Sequence, residues 1–309
     1  RFPFADRIMT SVSIAFVNTV FRFIKVVALL PFTKQIEKTV NFLVRDKPQQ
    51  KAVEPEAMRL EERFIQHPAL AIEQSRLTIN AMAEEAKRNF VEAVALLHGY
   101  SNEQFKLVED LENSVDRYED KLGTYLVKVT EREMTVKQNA EVSKFLHTIS
   151  DFERISDHAY NIMESAEQFH NMKKKFSDKA KKELRVYEAA VKDIVDITFD
   201  ANDRSDIIKA SRVEPLEEVI DRLNDEIKKK HIKRLRKGKC TIELGFVLSD
   251  LTTNFERVAD HCSNIAVCLI QTQADGYEMH EYLDKLKEDE DPFFEQMFEE
   301  YCKEYRLPS

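Results

Sequence analysis

At 309 residues the chain has room for about two domains with sizeable cores. Five glycines and eight prolines are too few for a turn-rich β protein, and a charged fraction of 33% with abundant Glu, Lys, Ala and Leu points to long helices. A net charge of −9 leaves no dominant basic surface for nucleic acid, and four cysteines without C-x-x-C spacing read as reduced thiols.

The chain begins at Arg1, as a piece of a longer protein would. Ile8 to Phe21 is a run of 14 uncharged residues, interrupted by Arg22 and Lys25, after which Val26 to Phe32 is apolar again. A membrane span wants about 20 apolar residues. Residues 1–45 therefore fit a membrane-associated segment, a buried helix or an amphipathic surface helix, and a signal peptide fits less well because no small-residue cleavage site follows. Residues 46–68 carry Pro48, Pro55 and Pro68 and read as a linker, with Glu56 to Gln66 able to form a short helix.

From Ala69 to Leu97 apolar residues recur at helical spacing, including Leu70, Ile72, Leu77, Ile79, Met82, Phe90 and Val94, and Gly99 stands where the helix would end. Ser101 or Asn102 caps a second helix with Leu107, Leu111, Val115, Tyr118, Leu122 and Leu126 on one face. A third helix runs from about Thr135 to Lys173. The plan then repeats: Ser177 caps a helix to about Asn202, a second runs from about Ser205 to Lys237, and a third from Thr241 to about Ala274. Pro215 predicts either a kink in that second helix or the start of its main rod. The expected fold is all-α: two tandem three-helix bundles, residues 69–175 and 176–275, preceded by a membrane-proximal helix. Residues 276–309 form an acidic and aromatic tail in which Glu278 to Tyr305 fits one more amphipathic helix.

The repeat is explicit. Phe152-Glu153-Arg154-Ile155-Ser156-Asp157-His158 returns 103 residues later as Phe255-Glu256-Arg257-Val258-Ala259-Asp260-His261. Glu112, Asp116 and Asp120 return 105 residues later as Glu217, Asp221 and Asp225. Two long offsets that agree this closely mark an internal duplication.

Residues four apart on a helix stack on one face. Glu112, Asp116 and Asp120 thus form one acidic ladder, and Glu153, Asp157 and Asn161 another; Glu217, Asp221, Asp225 and Glu256, Asp260, Asn264 repeat them. Counted round each helix, the ladders point outward or along the seam between two helices, not into the core. One reading is a solvated acidic face. The other is cation binding, because like charges four apart cost each pair about 0.2–0.5 kcal/mol, and clustered carboxylates supply the oxygen ligands that hard and borderline cations prefer. Asn161 and Asn264 would be weak ligands or would orient the ligands.

His158 and His261 follow an Asp directly and point about 100° away from the ladder, as hydrogen-bond donors rather than ligands. The outward stripe and the Glu-to-His spacing do not suit a ferritin-like di-iron core. Arg117, Arg154, Arg222 and Arg257 each follow a motif acid and offset its charge. No nucleophile elbow, Walker motif or zinc spacing appears, and no enzyme activity is expected. A metal-dependent phosphohydrolase and a purely structural scaffold stay open as alternatives.

The runs Glu-Arg-Ile-Ser-Asp-His-Ala-Tyr-Asn-Ile at 153–162 and Glu-Arg-Val-Ala-Asp-His-Cys-Ser-Asn-Ile at 256–265, with the ladders at 112–120 and 217–225, resemble the PhoU family over about residues 69 to 274. The resemblance implies tandem three-helix bundles with multinuclear clusters of iron, zinc or similar divalent or trivalent ions on those acids, serving to regulate phosphate uptake. Ser156 and Ala259 stand where that family often has Gly. Phe23 to Val40 and Glu62 to Leu77 resemble the junction after the last membrane helix of bacterial sodium/phosphate cotransporters, some of which carry a PhoU-like tail. The resemblance therefore implies a membrane-embedded Na/Pi transporter domain of the same chain as partner, with inorganic phosphate and sodium as the transported ions. It places residues 69–309 on the cytoplasmic side of the cell membrane and leaves a homodimer open.

Overall fold

The structure, a computed structural model, describes residues 11–29, 60–271 and 292–308. Every regular element among them is helical. The chain divides into two units, 1–54 and 55–309. The first unit contributes α1 (Ser11–Leu29). In the second, a 3₁₀ turn (Glu62–Gln66) leads into α2 (Pro68–Ala95), α3 (Asn102–Thr130) and α4 (Val136–Asn171). Then come α5 (Asp178–Arg204), the one-turn α6 (Ile207–Ala210), α7 (Val213–Arg236), α8 (Ile242–Gln271) and α9 (Pro292–Glu304).

The helix ends follow from local chemistry. Pro68 opens α2, where its missing N–H costs nothing. The Ser101 hydroxyl accepts from the Gln104 N–H, Thr135 and Gln138 form a capping box, and the Ser177 hydroxyl accepts from the Ala180 N–H. Ser205, in the left-handed region at φ 51°, stops α5. Asp206 caps α6. Pro215 falls in the first turn of α7, so it marks the start of the rod and introduces no kink. Gly238, at φ 64°, closes α7 where the Lys239 N–H reaches the Arg234 carbonyl.

The expected all-α plan of two three-helix bundles is present: α2, α3, α4 and α5, α7, α8. They join along α4 and α8, which run antiparallel through the middle of the unit. Two phenylalanines lock the join. Phe152 of α4 packs on Phe199 of α5 with ring centroids 5.0 Å apart, and its repeat mate Phe255 of α8 packs edge-on against Phe90 of α2 at 6.4 Å. Phe255 also packs edge-on against Tyr187 of its own bundle at 5.7 Å, so each phenylalanine bridges the join, and all of these rings are buried.

Flanking segments fasten to matching places. The Tyr125 hydroxyl donates to the Glu61 carbonyl beside the 3₁₀ turn, and Lys230, 105 residues on, donates to the Pro308 carbonyl after α9. Arg222 stacks over Phe298 of α9 at 4.2 Å.

Some expectations need correction. Leu70 and Leu77 are 55% and 63% exposed, because the buried face of α2 runs through Ala71, Ile72, Ser75, Ile79, Met82, Ala86 and Phe90 instead. The short helix expected over 56–66 is, within the described residues, only the 3₁₀ turn. A helix is present in the N-terminal segment, but among the described residues no helix is long and apolar enough to cross a membrane. Residues 46–59 of the expected linker, 30–40 of the first transporter-like stretch and 272–291 of the chain lie outside the described residues.

Candidate metal centres

The ladders face each other along the seam between the second and third helix of each bundle. In the first bundle Glu112, Asp116 and Asp157 each bring a carboxylate oxygen within 4.8 Å of the others. In the second bundle Glu217, Asp221 and Asp260 do the same. Two acids come from one helix at i, i+4 and the third from its antiparallel neighbour. The spacing that stacked them in the sequence is thus what converges them here.

Of the remaining candidates Glu153 sits against the first triad, where it meets Asp157, and the others stand further off. Asp120 and Asp225 are exposed further along their helices, and Asp225 pairs with Lys229 at 3.5 Å. Asn161 is exposed, and Asn264 turns towards the bundle join, where it donates to Asp151 at 3.3 Å. Glu153 and Glu256 lie one helical turn from Asp157 and Asp260.

Crowding marks the first seam electrostatically. Burial and then the charges of Asp116, Asp157 and Glu109 push the Glu112 carboxyl up to about 7. Burial, then Asp157, pushes Glu153 up to about 7 against the lowering effect of Arg154. Asp116 is raised by burial, then by Asp157 and Asp120. In the second seam Asp260 is raised chiefly by burial, with Arg257 acting against it. Two of the arginines that follow motif acids behave as expected, Arg154 reaching Asp157 at 3.3 Å and Arg257 reaching Asp260 at 3.0 Å, whereas Arg222 pairs with Glu218 at 3.4 Å.

The two seams differ at their outer edge. Glu256 accepts hydrogen bonds from Asn224 and, at 3.4 Å, from Lys228. At the matching positions of the first copy, 105 residues earlier, stand Glu119 and Gly123. Glu153 therefore lacks both donors that serve Glu256 and has an extra acid nearby, and Glu119 is itself raised by burial and by Asp120 and Asp116. Motif matching overlooked Glu119, Asn224 and Lys228; aligning the two copies over whole helices would have found them.

An all-oxygen set of three converging carboxylates on two rigid helices suits a hard or borderline cation. The residues present fit the group implied by the ladders: three carboxylate oxygens converge in each seam, and crowding and burial raise the Glu112 and Glu153 carboxyls, a repulsion that a bound cation would relieve. His158 and His261 turn away to the bundle join, where His158 bonds Asn254 and His261 bonds Asp151, each at 2.9 Å.

Comparison with known proteins agrees with this layout. A family model described as the PhoU domain matches the chain twice, over residues 79–166 and 185–269, each match spanning one seam. The chain belongs to the PhoU domain family. The phosphate-specific transport system accessory protein PhoU homolog 1 of Thermotoga maritima is 30% identical over 148 residues, which is 48% of this chain. The chain aligns with 62% of that relative, under two thirds of its length. PhoU from Pseudomonas aeruginosa has a similar fold, with a TM-score of 0.62 at 19% identity, covering 68% of this chain and 98% of that one. The phosphate transport system regulatory protein PhoU from Streptococcus pneumoniae gives 0.61 at 16% identity with the same coverage. The PhoU fold thus accounts for both bundles.

Proposed function

We propose that this PhoU-domain chain regulates phosphate transport, with its two acidic seams loaded by divalent or trivalent cations and a membrane-embedded transporter as its target. The observation that carries the reading is the duplicated triad: Glu112, Asp116, Asp157 and Glu217, Asp221, Asp260 converge in both copies. Family membership supplies the phosphate-transport context. The target fitting the flanks is a sodium/phosphate cotransporter domain of the same chain, with the bundles on the cytoplasmic side of the membrane. A module tethered in this way acts at high effective concentration, so weak contacts suffice to bias a transporter's conformations. Cations bound in the seams would place fixed positive charge on an otherwise acidic surface. Glu112 and Glu217 would hold such ions from one helix and Asp157 and Asp260 from the other, with Glu153 and Glu256 at the edge.

Elemental analysis of protein purified without chelator tests the metal reading. Stoichiometric iron, zinc or a similar ion, lost in the Asp157→Asn, Asp260→Asn double variant with helical content intact, is the expected result; background metal in both proteins overturns it. The regulatory reading is tested separately. Removing the bundles from the transporter-linked protein should change the rate or the feedback of sodium-driven phosphate uptake, and unchanged uptake at high and low phosphate would leave only a structural role. Phosphatase activity on added metal would favour the hydrolase alternative instead.

A further inference from the structure

One end of the second bundle carries a surface that neither the packing nor the seams use. Between Lys228 and Lys239 the sequence holds eight Lys or Arg residues and no acid. Four of them are engaged: Lys228 with Glu256, Lys229 with Asp225, Lys230 with Glu226 and Arg234 with Glu183. Lys233, Arg236, Lys237 and Lys239 are exposed and have no ion-pair partner among the described residues. Beside them Ile232, Leu235, Ile242 and Phe246 are exposed large apolar side chains, Ile242 and Phe246 at 65% and 67%.

The four apolar side chains share one flank, with Arg236 at its edge and Lys233 and Lys237 further round the tip. His231 and Gly245 meet where α7 and α8 face each other: a Cβ on Gly245 would lie 2.8 Å from the His231 ring. At about 100° per residue, Leu235 and Ile232 stand about 40° and 100° round α7 from that line, and Ile242 and Phe246 about 60° and 100° round α8, all in the same sense of rotation. For antiparallel right-handed helices the same sense means the same side. It is the side that carries Glu217, Asp221 and Asp260, so the patch continues the seam at its turn end. Lys174 pairs with Glu243 at 3.0 Å, which brings the exposed Lys173 and Lys175 to this end as well.

The duplication supplies an internal control. At the matching positions of the first copy stand Val127, Thr130, Asn139 and Ser143 for the four apolar residues, and Glu131 for Arg236. Val127 is exposed, but its neighbours are polar and the local charge is mixed. The same fold forms without the patch, so the patch is not a requirement of the fold. Unpaired cations around exposed aliphatic and aromatic side chains match an anionic bilayer: the cations meet headgroups, and the apolar chains enter the boundary of the acyl region.

We infer that the α7–α8 turn of the second bundle docks on an anionic lipid surface through Ile232, Leu235, Ile242 and Phe246, with Lys233, Arg236, Lys237 and Lys239 around them. This does not depend on the seams holding metal. The chain contains no tryptophan, so Phe246→Trp in the full chain gives a local reporter that contacts made by α1 cannot mimic. The expected result is a blue shift and quenching by brominated phosphatidylcholine in vesicles containing phosphatidylglycerol, and much weaker quenching in phosphatidylcholine alone or at high salt. Adding Lys233→Glu, Arg236→Glu, Lys237→Glu and Lys239→Glu should weaken the lipid response more than about a hundredfold, given roughly a fivefold effect per basic side chain. Quenching that survives the charge reversal, or emission unmoved by anionic vesicles, overturns the proposal. A response to poly-glutamate without lipid quenching also overturns it and assigns the patch to an acidic protein.

Discussion

Asp151 and Asn254 occupy the same place in the two copies, 103 residues apart, yet one is an acid and the other an amide. Across the bundle join Asp151 accepts from His261 Nδ1 at 2.9 Å, and Asn254 accepts from His158 Nδ1 at 2.9 Å. The two imidazoles stack between them with centroids 5.6 Å apart. Each helix thus holds the other's histidine, but only one of the pair faces a carboxylate. Asp151→Ala should cost about 1–3 kcal/mol, since His261 and Asn264 both lose their acceptor. Asp151→Asn should cost less, because an amide oxygen can still accept. Urea unfolding of the two variants checks the order; equal costs would show that the hydrogen bond contributes nothing beyond packing.

The seams should be interconvertible at their edges. Asn224→Glu with Lys228→Gly gives the second seam the residues of the first, removes both donors to Glu256 and adds an acid. Cation affinity of that seam should rise by roughly tenfold or more, taking about 1.5–3 kcal/mol for a charged hydrogen bond as the scale. Titration calorimetry in the Asp116→Asn, Asp157→Asn background isolates the second seam and reads this directly.

His231 supplies a pH dependence away from the seams. Burial, then Arg234, holds its imidazole below the ordinary histidine range, while Glu183 acts against them. Cys240 Sγ lies 3.8 Å from Nδ1, and Nε2 is buried against Gly245. The unfolded chain takes up the proton near pH 6.5 and the folded chain only at lower pH. The contribution of the neutral ring is therefore full above about pH 6.5 and is lost as pH falls through the folded value. Unfolding free energies at pH 7.5 and 5.5 should differ less in His231→Gln than in the unchanged protein. Gly245→Ala should cost about 1–3 kcal/mol at either pH, as the added methyl displaces the ring.

Glu183 and Arg234 form a buried ion pair at 2.5 Å, with Glu183 wholly enclosed. Glu183→Ala should cost about 3–5 kcal/mol by leaving a guanidinium buried without its counter-charge. Replacing both partners by apolar residues should recover most of that loss in thermal unfolding.

Helical periodicity and capping residues made the helices legible because they act locally: Ser101, one of two expected caps, and Ser177 cap their helices, and Thr135 caps the helix that was expected to begin near it. The triads were legible because i, i+4 spacing and duplication coincide in Glu112, Asp116 and their repeats. Leu70 and Leu77 were misplaced, since hydrophobicity alone does not say which side of a long helix meets its neighbours. The aromatic exchange between bundles was hidden for a related reason. Phe152 and Phe255 carry ordinary core periodicity, and only the docking of α4 on α8 brings Phe199 and Phe90 of the opposite bundle against them.

That exchange has a consequence for how the molecule can change over generations. A single bundle carrying Phe152 has a socket-shaped need that its own twin would fill, so a half-length ancestor would have paired with itself, and every substitution would have appeared on both sides of the axis. Joining two copies in one chain freezes the axis while freeing each side to drift. An acid can sit opposite an amide, lysine can serve one seam and not the other, and greasy, basic residues can gather at one tip alone. Division of labour, forbidden to a pair of identical subunits, becomes available to a tandem.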